Sequence, residues 1–237
     1  MSWNEKNRSL EGMSEQGFQL EVNNQNVPGL YWTPEDGDGK YLVLLGHGGT
    51  ESKTADYIVN MARLLASRGI SSMAIDGPGH GERATQDFGT APDAFSRIWE
   101  EGGGTAGMLA DWSAALDFIE AETGSRPTGW WGLSMGTMMG LPVVATDKRI
   151  SVALLGLMGN WGPNAADLMR YAPDVTIPVR FLVQWDDEIV PRHTCLELFD
   201  ELATKKKTLH ASPGKHVEVP QFEVEGSVDF LSYRLKK

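Results

Sequence analysis

The sequence predicts an α/β fold with a mostly parallel central sheet. Short apolar runs, typical of buried strands, alternate along the chain with segments whose apolar residues recur every three or four positions, as in amphipathic helices. Two strand-like segments joined by a turn precede this alternation. Helices that connect successive strands pack on the faces of a parallel sheet, so the pattern favours an opening hairpin followed by a parallel sheet.

The strand predictions follow the apolar runs. They cover residues 18–22, 30–32, 41–45, 70–75, 129–133, 152–157, 179–185 and 207–210, with a turn at 23–28 between the first two.

The helix predictions follow the 3.6-residue spacing of apolar side chains. They cover segments around 57–65, 108–119, 193–202 and 224–235. Gly69 and Gly124 are expected to stop the first two helices. Another helix is expected to start near Ser134, and Pro142 should end or kink it early because proline lacks a backbone N–H. The segment 83–105, which ends in three glycines, is expected to be a mobile loop over the site, although residues 95–101 within it are helix-like.

Composition indicates one globular unit. The 237 residues are 41% hydrophobic and 22% charged, and no repeat or long linker divides them, so a single domain over 1–237 is expected. The formal net charge of −11 disfavours nucleic-acid binding, because phosphate contacts need clustered Lys and Arg. Oligomeric state stays open.

The sequence also predicts a soluble cytoplasmic protein. Cys195 is the sole cysteine, so no intrachain disulfide can form. The first 16 residues are polar and lack the apolar run of a signal peptide. No apolar stretch approaches the length of a membrane span.

The segment Gly132-Leu133-Ser134-Met135-Gly136 matches the G-x-S-x-G pattern. It follows a predicted strand and opens a predicted helix, which is the context of a nucleophile elbow. A serine in such a strained turn needs close neighbours without a Cβ, and glycine meets this need. The context therefore favours a nucleophilic serine over a simple glycine-rich turn.

A second glycine-rich loop, His47-Gly48-Gly49, follows the 41–45 strand. Such a loop can bring a backbone N–H close to a bound carbonyl oxygen, and the N–H of Met135 would be a second donor. Two N–H groups directed at a developing oxyanion are what acyl transfer requires. His47 itself is interpreted as structural and not as a proton carrier.

An acidic pair and a histidine complete the set of candidates. Asp186 and Asp187 lie just after the 179–185 strand, and His216 follows the last strand. Each group therefore stands at the carboxyl end of a different strand, where open α/β sheets place their chemistry. The chain order is serine, then acid, then histidine.

These residues give the chain its resemblance to a known family. From about residue 41 to the C-terminus, it resembles α/β-hydrolase-fold proteins, and it is similar to the compact serine esterase and dienelactone-hydrolase-like branches. The resemblance also includes Asp76-Gly77-Pro78-Gly79-His80-Gly81, a turn that shapes the floor of the site in this family.

The resemblance implies a role for each candidate residue. Ser134 would be the nucleophile, Asp187 the acid and His216 the base. Asp187 stands three residues before Val190-Pro191, as the family acid does, which favours it over Asp186 without closing that choice. The oxyanion donors would be the backbone N–H groups of Gly49 and Met135.

The sequence departs from the family pattern at two positions. Gln184 stands where the family often has glycine, and Ser134 stands where dienelactone hydrolases have a cysteine nucleophile. Residues 159–176 are too few for a substantial lid, so little or no lid domain is expected.

The functional prediction is a serine hydrolase that cleaves a small-molecule ester or similar acyl compound through an acyl-enzyme on Ser134. No metal or organic cofactor is expected. An acyltransferase, a peptidase, a cofactor-free lyase or haloperoxidase-like activity, and a non-catalytic binding protein on the same fold remain alternatives. Cys195, Trp130 and Trp131 are interpreted as packing residues, although one tryptophan could line an acyl pocket.

Overall fold

Nine strands form one sheet in the computed structural model, which describes residues 1–84 and 93–237, without the side chains of 5–7. The strands are β1 (Ser2–Leu10), β2 (Met13–Val22), β3 (Gln25–Pro34), β4 (Tyr41–Gly46), β5 (Ile70–Ile75), β6 (Thr128–Gly132), β7 (Ile150–Gly156), β8 (Val179–Gln184) and β9 (Lys207–Ser212). The sheet order is β1-β2-β3-β5-β4-β6-β7-β8-β9. β1 to β3 are antiparallel and β3 also pairs antiparallel with β5, whereas β4 to β9 run parallel.

Helices cover both faces of this sheet. They are α1 (Asp56–Ala66), α2 (Ala94–Glu101), α3 (Gly104–Thr123), α4 (Met135–Thr146), α5 (Ala165–Tyr171), α6 (Arg192–Glu201) and α7 (Gln221–Leu235). Apolar residues of α1 and α7 pack on one face, and those of α3 to α6 pack on the other. The α/β fold with a mostly parallel sheet is confirmed. No helix in the described ranges has the length and apolar content needed to cross a membrane.

The N-terminal hairpins are longer than the sequence predicts. Asn23 and Asn24 both have positive φ (51° and 60°), so β2 and β3 are joined by a tight two-residue turn and not by a turn over 23–28. β1 was not predicted, because its polar residues show no apolar run. Trp3 anchors this strand, with its ring centroid 4.9 Å from that of Phe118 on α3.

The prediction that Pro142 could end its helix early is wrong, because α4 continues to Thr146 with Pro142 inside it. Pro142 cannot donate to the carbonyl of Met138, its partner four residues earlier in a regular helix. The side-chain Nδ2 of Asn164, at the start of α5, donates to that oxygen at 3.0 Å instead. The buried carbonyl is therefore satisfied and the helix can continue.

The second half of the segment 83–105 is not the expected mobile loop, and the helix-like character predicted for residues 95–101 is confirmed. Residues 94–101 form α2 and Gly104 begins α3, while residues 85–92 lie outside the described residues. Ile98 of α2 packs so closely on Gly79 that a Cβ there would collide with it. Contacts with the loop that follows β5 therefore stabilise this helix.

The chain between β7 and β8 contains only α5 and a single 3-10 turn at Ala172–Asp174. No lid domain is inserted at this position, as the short segment predicted.

Candidate active site

Ser134 lies in a strained turn between β6 and α4. Its φ of 56° and ψ of −121° belong to a region that residues with a Cβ rarely adopt. A Cβ at Gly132 would lie 2.6 Å from the carbonyl oxygen of Gly136, and one at Gly136 would collide with the backbone of Gly46. Both glycines of the pattern are therefore needed for strand and helix to approach this closely.

Thr137, which the sequence analysis missed, braces this turn. Its hydroxyl lies 2.9 Å from the carbonyl oxygen of Gly132 and 2.7 Å from that of Gly156, and it accepts the N–H of Gly156. The N–H of Ser134 also donates to the Gly156 carbonyl, at 2.9 Å. Hydrogen bonds to the end of β7 thus hold the serine backbone in its unusual conformation.

His216 connects the serine to a carboxylate. Its Nε2 lies 2.9 Å from Oγ of Ser134, and its Nδ1 lies 2.7 Å from Oδ2 of Asp187. The side chains of His216 and Asp187 are only 8% and 1% exposed. Since Asp187 accepts the hydrogen on Nδ1, Nε2 is left as an acceptor for the hydroxyl of Ser134.

The geometry distinguishes between the two aspartates. Oδ1 of Asp187 accepts the backbone N–H groups of Ile189 and Val190, both at 2.8 Å, and these bonds leave Oδ2 directed at His216. Asp186 is exposed, and its backbone N–H donates to the carbonyl of Gly214. The structure therefore brings Asp187, and not Asp186, to the imidazole.

Gln184, at the position where the chain departs from the family pattern, holds the turn that carries His216. Its Nε2 donates to the carbonyl oxygens of Lys215 at 3.1 Å and Glu218 at 2.7 Å. The N–H of His216 donates to a carboxylate oxygen of Glu188 at 3.0 Å, and this bond lowers the pKa of Glu188. These roles depend on side-chain conformations that the sequence pattern does not reveal.

The His47-Gly48-Gly49 loop follows β4, on the same edge of the sheet. His47 is fully buried, its Nε2 accepts the N–H of Gly77 at 2.9 Å, and its Nδ1 lies 2.8 Å from the carbonyl oxygen of Gly48. Burial lowers the pKa of His47 to about 4, so its ring is neutral near pH 7. These contacts favour the structural interpretation of His47.

The two predicted oxyanion donors lie on the loop after β4 and at the start of α4. Within the described part of the chain, the N–H groups of Gly49 and Met135 make no hydrogen bond. Phe95 of α2 lies beside this loop, since a Cβ on Gly49 would be 3.2 Å from its ring.

A buried ion pair supports the floor of the site. Nζ of Lys53 lies 2.6 Å from a carboxylate oxygen of Asp76 and 2.6 Å from one of Glu82, and Lys53 and Asp76 are nearly inaccessible to solvent. The backbone N–H of Lys53 also donates to Asp76. The loop after β4 is therefore tied to the loop after β5, in the structural role that the resemblance implies for the Asp76–Gly81 turn.

Other residues singled out in the sequence have packing roles. Trp130 and Trp131 are buried on opposite faces of the sheet. Cys195 is also buried, which raises the pKa of its thiol to about 12. Within residues 1–84 and 93–237, no three His, Cys, Asp or Glu side chains are grouped to hold a metal ion.

Comparison with known proteins identifies the family. The family described as "Alpha/beta hydrolase family" matches residues 42–227, which is most of the chain. The chain belongs to the α/β hydrolase family. This α/β hydrolase matches no curated protein.

Solved structures similar to this α/β hydrolase include esterases. A PEG-bound cold-adapted esterase from an Arctic intertidal metagenomic library is 63% identical, with a TM-score of 0.94, over 99% of this chain and 100% of that one. A zinc-bound structure from the same kind of library is 58% identical, with a TM-score of 0.88 and the same coverage. An acetyl xylan esterase from Paenibacillus sp. R4 is 20% identical over 98% and 89% of the two chains, with a TM-score of 0.74, and shares the fold.

Proposed function

We propose that this α/β hydrolase is a serine esterase that cleaves a carboxylic ester through an acyl-enzyme on Ser134. The observation that carries the proposal is the pair of contacts made by His216, to Oγ of Ser134 at 2.9 Å and to Asp187 at 2.7 Å. Nucleophilic acyl transfer needs a nucleophile, a base within hydrogen-bonding distance of it, and a group that orients the base.

In the first half-reaction, Oγ of Ser134 attacks the ester carbonyl carbon while Nε2 of His216 takes the hydroxyl proton. Asp187 holds the ring in the required tautomer and stabilises the imidazolium. The carbonyl oxygen becomes an oxyanion that accepts the N–H groups of Gly49 and Met135, each worth about 3 kcal/mol of the barrier. When the tetrahedral intermediate collapses, the C–O bond breaks and His216 protonates the departing alcohol.

In the second half-reaction, water replaces the alcohol. His216 takes a proton from the water as its oxygen attacks the acyl carbon, and the same two N–H groups stabilise the second oxyanion. Collapse of this intermediate breaks the bond to Oγ, which regains its proton from His216. The products are a carboxylic acid and the free enzyme.

The choice of an ester over other acyl compounds rests on the relatives. Two structures at 63% and 58% identity are described as esterases, and this chain matches their full length. The acyltransferase and peptidase alternatives use the same residues and differ in the acceptor or the leaving group.

The test compares p-nitrophenyl esters of graded acyl length with thioester and peptide p-nitroanilide substrates, for the wild type and Ser134→Ala. We expect the esters to be hydrolysed with the highest kcat/KM and Ser134→Ala to abolish that turnover. Faster cleavage of anilides would favour a peptidase. Product formed mainly by transfer to an added alcohol would favour an acyltransferase.

A further inference from the structure

The backbone of Gly48 is held at both of its polar groups. Its N–H donates to the phenol oxygen of Tyr57 at 2.6 Å, and its carbonyl oxygen lies 2.8 Å from Nδ1 of His47. Nε2 of His47 accepts the N–H of Gly77, so the ring hydrogen is on Nδ1 and is donated to Gly48. His47, in the loop that follows β4, and Tyr57, on α1, thus restrain the residue next to the proposed oxyanion donor.

This restraint matters because the loop contains two consecutive glycines. Glycine has more accessible backbone conformations than any other residue, so an unrestrained Gly48-Gly49 segment could turn either N–H group toward the substrate. The bond to Tyr57 occupies the N–H of Gly48. The N–H of Gly49 makes no bond within the described residues, so it is the one left for a ligand.

Tyr57 is placed by contacts of its own. It lies in the first turn of α1, and its ring centroid is 6.2 Å from that of Trp131, which is buried in β6. Tyr57 is 40% exposed, and its phenol oxygen faces the Gly48 backbone. Partial desolvation of the phenol raises the pKa of Tyr57 to about 12, so the group is neutral and adds no negative charge near the oxyanion.

We propose that Tyr57 is a positioning residue for the oxyanion hole. Its phenol oxygen holds the peptide plane before Gly48, while His47 holds the next plane through the Gly48 carbonyl. With both planes held, the backbone angles of Gly48 are set, and the N–H of Gly49, which shares a plane with that carbonyl, is directed to the substrate oxyanion. This inference rests on the proposed esterase function. Tyr57 does not contact the reacting atoms, and its effect is on the barrier to reaction. An interaction that orders a donor for the transition state changes kcat more than ground-state binding.

The test is Tyr57→Phe, which removes only the phenol oxygen and keeps the ring that faces Trp131. With the best p-nitrophenyl ester, we expect kcat to fall about five- to tenfold, the scale of one neutral hydrogen bond, with little change in KM. Tyr233→Phe is the matched control, because Tyr233 is an exposed tyrosine on α7, and this variant should keep the wild-type kcat.

A second measurement separates positioning from a merely structural role. A trifluoromethyl ketone adds to the serine and forms an oxyanion, so its affinity reports on the oxyanion hole independently of turnover. For Tyr57→Phe, this affinity should fall by the same factor as kcat/KM, while the thermal midpoint stays near that of Tyr233→Phe.

The outcomes distinguish failure of the positioning role of Tyr57 from failure of the proposed esterase function. Wild-type kcat and ketone affinity in Tyr57→Phe would overturn the positioning role and leave the esterase proposal standing. A rise in KM alone, or a loss of activity that follows only the thermal midpoint, would also overturn it. If the wild type neither hydrolyses esters nor binds the ketone through Ser134, the esterase proposal fails and the inference fails with it.

Discussion

Oδ2 of Asp187 lies 2.7 Å from Nδ1 of His216, while the neighbouring Asp186 is exposed to solvent. Two backbone N–H groups bind the other oxygen of Asp187, so the carboxylate is fixed on both sides. In the proposed mechanism, this contact determines which ring nitrogen of His216 carries the hydrogen.

Asp187→Asn should therefore impair catalysis far more than Asp186→Asn. An amide at position 187 can donate to Nδ1 and so stabilise the wrong tautomer, which should lower kcat by about 10⁴-fold. Asp186→Asn should stay within a few-fold of the wild type. Steady-state kinetics with one ester measures both values, and the opposite ranking would transfer the orienting role to Asp186.

The strand ends that carry these groups could be predicted from sequence because their signals are local. A short apolar run followed by glycine or an acid marks the end of a buried strand, and the Ser134 turn and the Asp187 segment both have this form. In a parallel sheet, the carboxyl ends of the strands meet at one edge, so predicting the strands also placed the candidate residues near one another.

The features that sequence reasoning missed depend on distant contacts. Pro142 stays inside α4 because Asn164, on another helix, satisfies the carbonyl of Met138. Gln184 holds the turn around His216 through residues more than 30 positions away. Such pairings are set by packing, and no local spacing rule reports them.

The hydrogen bond from Asn164 to the carbonyl of Met138 predicts that substitutions at positions 164 and 142 have non-additive effects on stability. Asn164→Ala leaves the carbonyl of Met138 buried and unpaired, and should lower the free energy of unfolding by about 1–3 kcal/mol. In a Pro142→Ala background, the new N–H at position 142 can donate to that carbonyl, so Asn164→Ala should cost about 1 kcal/mol less. Urea unfolding of the four proteins of this cycle measures the difference.

If the two substitutions change the free energy of unfolding additively, Asn164 does not compensate for the missing N–H of Pro142, and this explanation for the continuation of α4 fails. Additivity would mean that Asn164 stabilises the protein through contacts unrelated to the missing N–H of Pro142.

The buried ring of His47 predicts a pH dependence of stability. Its pKa falls from 6.5 in the unfolded chain to about 4 in the folded protein, mainly through burial, while Asp76 and the hydrogen bond to Gly48 oppose the fall. Between these values, the unfolded state binds the extra proton, so stability rises with pH. The contribution is fully present above about pH 6.5 and is lost as the pH falls toward 4, by about 3 kcal/mol in all.

His47→Gln isolates this effect, because the amide can accept from Gly77 and donate to Gly48 without titrating. Urea unfolding at several pH values between 4 and 7 should show a shallower loss of stability for the variant than for the wild type. Parallel curves would mean that other groups, His80 among them, cause the pH dependence.

The most direct measurement of the central claim is the covalent intermediate itself. Rapid acid quenching during turnover of a slowly deacylating ester, followed by mass spectrometry, should show an added mass of one acyl group on the peptide that contains Ser134. Ser134→Ala should show no adduct and a kcat lower by about 10⁶-fold. An acyl group on another residue, or turnover by Ser134→Ala near the wild-type rate, would contradict the account.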